Sequence, residues 1–331
     1  MREQLNIIKN ALPKRSTMPV LANILLKGGV LTASDLELTM SVAVDSNIEC
    51  LLPPKTIEVV NAIEGDVKME LHGQQLHISG ERGQFKLSTD TGIDDYPAID
   101  HVQDLHPLPP EFINALQSVV FACSLEQSRP AFMGVLTEVA DGELTLTASD
   151  TYRLARAKLK LNHPDCRVLI PNRILKEIVR MKPAKLEIGI AESAVTFVAD
   201  GVLMTSRLLG EKYPDVSSVI PTAPKTTITL DYEELAESVK RVGLLADGKN
   251  KAVGLTVADS TLTVSVKGQE GDGEEILPIE CDGENVELFV NSTYFAEGLK
   301  GSGVIQFHGV GGPIILVRQD YIYLVLPIKK V

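Results

Sequence analysis

Apolar residues run along this chain in two alternating rhythms. Near the N-terminus Leu5, Ile8 and Leu12 stand at i, i+3 and i+7, the stripe of an amphipathic helix. Phe112, Leu116, Val119 and Cys123 draw the same stripe later in the chain. Between such stripes the rhythm shortens. The stretches KMELHGQQLHIS (from Lys68) and KLEIGIAESAVTFVA (from Lys185) alternate apolar and polar residues, as half-buried hairpin strands do. Asp231 followed by Glu234 has the form of a capping box. Asn172 is placed to cap a helix running through Met181.

The two rhythms recur together three times, at a spacing of roughly 110 residues. Each copy opens with a helix, a loop and two strands, and the second strands align as VLTASD, LTLTASD and TLTVSV. Each closes with a short strand, a helix and a β meander, starting at LLPPKTIEVV, VLIPNRILKEIV and LFVNSTYFAEGL. Proline clusters in DLHPLPP (from Asp104) and IPTAPK (from Ile220) interrupt the pattern. They divide the chain into domains 1–106, 107–223 and 224–331. Two helices and about eight strands per domain can cover only one side of their sheets, which predicts an α+β class with antiparallel sheets. Like modules joined head to tail close into a ring when the rotation per module divides a full turn.

Composition narrows the function. Hydrophobic residues make up 44% of the 331 and charged residues 23%, ordinary for a globular protein. Aromatics are 5% and there is no Trp, so the apolar mass is aliphatic and suits many thin layers. No apolar run is long enough to span a membrane, and the polar opening MREQLNIIKNALPKR lacks a signal core, which predicts a cytoplasmic protein. Cys50, Cys123, Cys166 and Cys281 are far apart and read as free thiols, not as a metal or disulfide framework. The net charge of −12 argues against a nonspecific DNA coat, yet permits basic residues gathered on one face.

Catalytic chemistry finds no constellation. His72, His77, His101, His106, His163 and His308 form no metal-ligand spacing, so no metal and no cofactor are expected. His72 and His77 flank a hairpin turn, and Asp94 and Asp95 precede Tyr96–Pro97 in a turn. No GxSxG or SxxK nucleophile pattern occurs. GLLADGKN (Gly243–Asn250) falls one residue short of a phosphate loop, and its context is helix then strand, the reverse of what such a loop needs.

Several segments, in order and at the right spacing, resemble the bacterial β sliding clamp family, the processivity subunits of DNA polymerase III. They are RSTMPVLANILL (Arg15–Leu26), the strand ends TASDLEL and TASDTYRLA, Arg129–Pro130 with Gly134–Val135–Leu136, LLGEKYPDVSSVIP (Leu208–Pro221) and the closing YLVLPIKKV. The resemblance covers nearly the whole chain. It implies a DNA clamp fold of three tandem repeats, and a head-to-tail homodimer forming a six-domain ring around duplex DNA. It implies a non-catalytic subunit that tethers the replicative polymerase and other replication and repair proteins. The alternatives are a clamp-like peptide-binding scaffold that does not encircle DNA, and a hydrolytic enzyme.

Three sets of residues follow from the resemblance. Cations on the inner helices would face phosphates without reading sequence: Lys9, Lys14, Arg15 and Lys55, then Arg173, Lys176, Arg180 and Lys182, then Lys240 and Arg241. Arg15 and Arg173 match family positions implicated in touching DNA. A groove for short linear peptides of the polymerase and the clamp loader would use Phe132, Ser149, Thr151, Tyr152, Arg153 and Leu154. Pro214, Val219, Asn291 and Tyr294 would join it, with Leu324, Val325, Leu326, Pro327 and Ile328. At the dimer interface Arg82 and Lys86 would face Glu270, Asp272, Glu274 and Glu275, with apolar contact from Leu244 and Leu245. This chain departs from the family pattern in three places. It opens at the first helix where relatives begin with a strand, which implies a first domain short of an edge strand. Thr151–Tyr152 stands for the usual Gly-His, and Ser218 for a common Arg, so the groove rim and its peptide preference are expected to differ.

Overall fold

A computed structural model describes every residue except Ser16, Thr17, Lys249 and Lys329–Val331. The last three end the YLVLPIKKV segment, and Lys249 belongs to GLLADGKN, so these parts of both motifs lie outside the described residues. The first repeat holds α1 (Arg2–Ile8), β1 (Ile24–Lys27), β2 (Val30–Ser34), β3 (Leu38–Ala43), β4 (Cys50–Leu52), α2 (Lys55–Ala62), β5 (Lys68–His72), β6 (Gln75–Gly80), β7 (Gly83–Ser88) and the short β8 (His106–Pro107). The second holds α3 (Glu111–Val119), β9 (Gly134–Ala140), β10 (Glu143–Ser149), β11 (Arg153–Lys160), β12 (Cys166–Pro171), α4 (Asn172–Met181), β13 (Leu186–Ile190), β14 (Ala194–Ala199) and β15 (Val202–Arg207). The third holds β16 (Thr226–Asp231), α5 (Tyr232–Gly243), β17 (Ala252–Ala258), β18 (Thr261–Lys267), β19 (Asp272–Pro278), β20 (Glu280–Gly283), β21 (Val286–Asn291), α6 (Ser292–Gly298), β22 (Ser302–Phe307), β23 (Ile314–Arg318) and β24 (Tyr321–Val325).

The chain forms two compact units, Met1–Pro110 with Arg173–Leu208, and Glu111–Asn172 with Leu209–Val331. The second repeat is thus shared between them, parted at the start of α4. The first unit carries an eight-stranded sheet, β4-β1-β2-β3-β15-β14-β13-β8, and the three-stranded β5-β6-β7. The second carries a nine-stranded sheet, β12-β9-β10-β11-β24-β23-β22-β16-β20, and the four-stranded β19-β18-β17-β21. All ladders are antiparallel, so each strand can bury one face under helices and leave the other to loops and solvent.

The threefold repeat is explicit in this topology. The orders β4-β1-β2-β3, β12-β9-β10-β11 and β21-β17-β18-β19 are one arrangement drawn three times. The meanders β5-β6-β7, β13-β14-β15 and β22-β23-β24 are another. Twice a four-strand set runs on into the next meander: β3 pairs with β15, and β11 with β24. Among the described residues β19 and β7 have no such neighbour and end their sheets.

The helices behave mostly as their stripes dictate, with three corrections. Leu5 and Ile8 are fully buried, but α1 ends at Ile8 and tightens into a 3-10 turn over Lys9–Ala11. Ala11 therefore fills the third core position and Leu12 is extended and only half-buried. Asp231 does cap α5, but its carboxylate accepts from the Glu233 amide, and the Glu234 arm of a capping box is not formed. Asn172 is itself the first residue of α4 and turns its amide to the Ser124 carbonyl at 3.4 Å. Arg2 shows why α1 and α2 lie together: its guanidinium donates to the carbonyls of Val60 at 3.0 Å, Ile63 at 2.6 Å and Gly65 at 3.1 Å. Those are carbonyls at the α2 C-terminus that no helical amide can satisfy.

Candidate functional site

A hydrophobic cluster, the candidate binding depression, lies on one face of β9, β11, β12, β23 and β24 in the second unit. Leu136, Leu154, Leu169, Tyr213, Val216, Ile315 and Leu324 form its buried floor, with Phe132, Leu209, Ile220, Val317 and Ile322 partly exposed around it. The register brings these together: Leu154 lies opposite Leu324 across β11 and β24, and Leu324 opposite Ile315 across β23. Phe132 meets Tyr213 edge-on, ring centres 5.5 Å apart. Tyr152, Val219 and Leu326 are exposed, large apolar side chains, and Pro214 is exposed beside Tyr213.

The start of β11, just before Leu154, is held by a charged post. Arg153 is only 8% exposed, which an arginine tolerates only when its fork is fully engaged. Its Nε donates to Asp150 at 2.9 Å, its Nη2 to the Phe121 carbonyl at 3.0 Å, and its Nη1 to Glu297. The guanidinium also lies 4.1 Å above the Tyr294 ring and 5.4 Å above that of Phe121. Burial opposes its charge, but Tyr323, Glu297 and Asp150 more than offset that, and its pKa stands above the ordinary value. The preceding turn is tightly pinned. Ser149 donates to the Arg153 carbonyl at 2.8 Å and accepts from the Thr151 amide at 3.1 Å, and Asp150 accepts from the amides of Tyr152 and Arg153. Thr151 sits at φ +78°, a conformation a β-branched residue adopts only under such constraint. Tail residues cross the rim: the Leu326 amide donates to Tyr152 and the Ile328 amide to Phe289. Val325 is buried and Pro327 half-buried. Asn291 uses its side-chain oxygen to cap α6 through the Tyr294 amide at 3.0 Å.

The expected cations divide into two groups. Arg173, Lys176 and Arg180 share one face of α4, opposite the buried Ile174, Leu175 and Ile178. Arg173 pairs with Asp35 and reaches Glu37 at 3.5 Å, and Arg180 pairs with Glu177 at 2.7 Å. Lys55 pairs with Glu58, and Lys240 with Glu237 at 2.6 Å. Arg241 donates twice to Glu275, at 2.7 Å each, so a residue expected to face DNA engages one expected at the dimer edge. That pairing holds the Arg241 pKa above its usual value and the Glu275 pKa below its own. Among the described residues no ion pair reaches Lys9, Lys14, Arg15, Lys176 or Lys182, all exposed.

The two open strand edges carry the rest. Along β7 nearly every residue is exposed, including Lys86 and Phe85 at 43%, and Arg82 sits in the turn before it. Along β19 Asp272, Glu274 and Ile276 (60% exposed) face solvent, Glu270 lies just before it, and Leu244 after α5 is 84% exposed. Leu245 beside it is half-buried. Exposed apolar residues on an open edge are what natural proteins avoid unless another chain covers them.

Comparison with known proteins gives the family. Family models of the DNA polymerase III beta subunit match three successive stretches: the N-terminal domain at residues 1–100, the central domain at 108–215 and the C-terminal domain at 217–306. The chain belongs to the DNA polymerase III beta subunit family. It is 29% identical to the beta sliding clamp of Bacillus subtilis over 367 residues, covering 99% of this chain and 97% of that one. It is 27% identical over 368 residues to the beta sliding clamp of Synechococcus elongatus, at 99% and 97% coverage. The crystal structure of the Bacillus subtilis sliding clamp superimposes with a TM-score of 0.90 at 26% identity, covering 100% of this chain and 97% of that one. The chain is thus a sliding-clamp subunit without catalytic function, and neither the enzyme nor the scaffold alternative gains support.

Several residues of this beta subunit's depression escaped sequence reasoning. Tyr213 and Val216, in the middle of LLGEKYPDVSSVIP, are more deeply buried in it than Pro214 and Val219. Tyr-Pro inside a loop was the available signal, since a buried aromatic in a turn must pack on something. Glu297 and Phe121, the distant partners of Arg153, left no signal at all, because contacts 144 and 32 residues apart are fixed only by the fold.

Proposed function

We propose that two copies of this chain close head to tail into a ring that encircles duplex DNA and holds a polymerase on it. The observation that carries this reading is the unfinished strand pattern. In the sequence of repeats β3 takes β15 and β11 takes β24, leaving β19 in want of β7, which only a second copy can supply. The register follows from the other two junctions. Ser41 pairs with Leu203 and Arg156 with Ile322, and the equivalent residues of β19 and β7 are Glu274 and Gln84. Stepping outward pairs Gly273 with Phe85 and Asp272 with Lys86 of the second copy. A glycine opposite a phenylalanine leaves room for the ring, and opposite charges fix the register. The same contact gathers Arg82, Leu244, Leu245, Glu270, Glu274 and Glu275 at the boundary.

In this reading the three domains are 1–106, 107–223 and 224–331, and their helices turn Lys9, Lys55, Arg173, Lys176, Arg180, Lys240 and Arg241 toward the phosphates, joined by Lys14, Arg15 and Lys182 from the segments that follow α1 and α4. The paired members are weaker contacts than the unpaired, since a phosphate must displace a carboxylate. Topological closure makes tight binding unnecessary, and loose, water-bridged phosphate contact allows sliding. The depression in the second unit is the seat for short peptides from the polymerase and the clamp loader: Phe132 supplies apolar surface over the buried Leu154 and Leu324, and Tyr152, Pro214, Val219, Leu326, Pro327 and Ile328 form the rim. The remaining expected groove residues hold that seat in shape: Ser149, Thr151 and Arg153 set the turn, and Asn291, Tyr294 and Val325 back it. The working compartment is the cytoplasm; among the described residues no helix is long and apolar enough to cross a membrane. Light scattering tests the assembly: a particle of twice the 35.9 kDa chain mass is expected, and a strict monomer at micromolar concentration would end this reading.

A further inference from the structure

The first unit repeats, in smaller form, the hydrophobic cluster of the second. Six positions correspond by strand register and by motif. Leu25 lies opposite Leu51 as Leu136 lies opposite Leu169. Leu21 follows Pro19 in a 3-10 turn as Phe132 follows Pro130. Tyr96–Pro97 with Ile99 repeats Tyr213–Pro214 with Val216. Both tyrosines are buried in clusters, and Leu21, Leu51 and Tyr96 form the core of this one. A cavity of about 400 Å³ opens here, with Leu25, Ile93, Tyr96 and Ile99 as apolar lining, in the size range of small binding sites. The Tyr96 hydroxyl is buried without a hydrogen bond of full geometry, although the Ser34 backbone lies close enough to act on its ionisation.

Two differences set its preference. Where the seat in the second unit has Leu324 and Ile315, the matching positions here are Thr205 and Thr196, hydrogen-bonded at 2.9 Å and tied to His101 at 2.8 Å. The apolar floor is therefore shorter and holds one large side chain, not two. The segment that lines it is acidic: residues 90–104 carry five exposed aspartates and no Lys or Arg, and Asp94 of these lines the cavity itself. Lys27, from the strand below, pairs with Asp94 at 3.1 Å across the mouth and is a removable latch, since both are exposed.

We propose that this pocket is a second docking site, taking one leucine or aromatic side chain of a short peptide flanked by Lys or Arg. It rests on the reading of the second-unit depression as a peptide seat, and goes beyond it in place and in charge preference. The incoming cation takes over Asp94 from Lys27.

The test uses the full-length chain and two fluorescein-labelled peptides, Lys-Leu-Lys-Leu-Phe-Lys and its counterpart with Glu at each Lys, followed by fluorescence anisotropy. Ala98 is exposed at the pocket wall, so A98W plugs the cavity without touching the core. The lysine peptide is expected to bind the V219A/L326A variant as it binds the unaltered chain, and to lose at least about tenfold in affinity with A98W. D94N/D95N, which leaves the cavity open, is expected to weaken it about fivefold. Loss of binding in V219A/L326A with none in A98W, or no binding of the lysine peptide to the unaltered chain, would overturn the proposal. Failure of V219A/L326A to weaken the glutamate peptide would count against the second-unit seat alone.

Discussion

Reversing one charge pair across the proposed junction tests both the dimer and its register. Pairing Asp272 with Lys86 of the second copy is a consequence of strand equivalence alone, so the pair can be swapped without altering either fold: both side chains are exposed in the single chain. An exposed ion pair contributes roughly 0.2–1 kcal/mol, and reversing one partner turns attraction into repulsion of similar size. A head-to-tail dimer contains the junction twice, so D272K or K86D alone should weaken dimerisation by about 1–4 kcal/mol, between about fivefold and several hundredfold. The double variant D272K/K86D restores opposite charges at both junctions and should recover most of the loss. Sedimentation velocity over a dilution series at low salt reads the dissociation constant directly, and added salt should shrink every difference. Single variants without effect, or a double variant as weak as the sum of the singles, would refute this register. A slip by one residue sets Asp272 against Phe85 or Leu87, where no swap can rescue.

Three further outcomes are expected. R153L strips the partner from the nearly buried Asp150 carboxylate and from the Phe121 carbonyl, and should lower stability in urea by about 3 kcal/mol, with R153K intermediate because an ammonium cannot reproduce the fork. Burial lowers the His101 pKa against the opposing pull of Asp100. The unfolded chain therefore takes up the proton first, so stability is full above about pH 6.5 and falls as pH drops toward the folded value; H101N should flatten the melting temperature between pH 7 and 5. Truncation before Pro327 removes the strap formed by the Ile328 amide and should abolish polymerase-peptide binding in anisotropy while leaving dimer mass unchanged.

What could be read in the sequence was whatever is periodic or local. The stripe Phe112, Leu116, Val119 predicts a helix whose three residues are indeed buried, and TASD marks the ends of β2 and β10 because both turn the same way there. Helix ends were harder. At α1 a loop had to be met, and the chain traded the last α turn, with Leu12, for a 3-10 turn with Ala11. At Asn172 the Ser124 carbonyl from a distant loop competes for the side chain that would otherwise cap. The site followed the same division. Arg153 and Leu154 stand in a motif, but the ion pair between Arg241 and Glu275 joins α5 to β19 across 34 residues and reassigns two side chains at once. The sharing of the second repeat between two compact units has no local signature either, since β3 meets β15 through register set by the whole sheet.

Encirclement itself is tested most directly on circular DNA. The chain is to be loaded by its cognate loader onto a nicked plasmid and passed through a gel-filtration column in high salt. Protein that stays with the circle, and leaves once a restriction enzyme linearises it, is the predicted result. Release from the circle before cutting, or retention on the linear form, would contradict a closed ring.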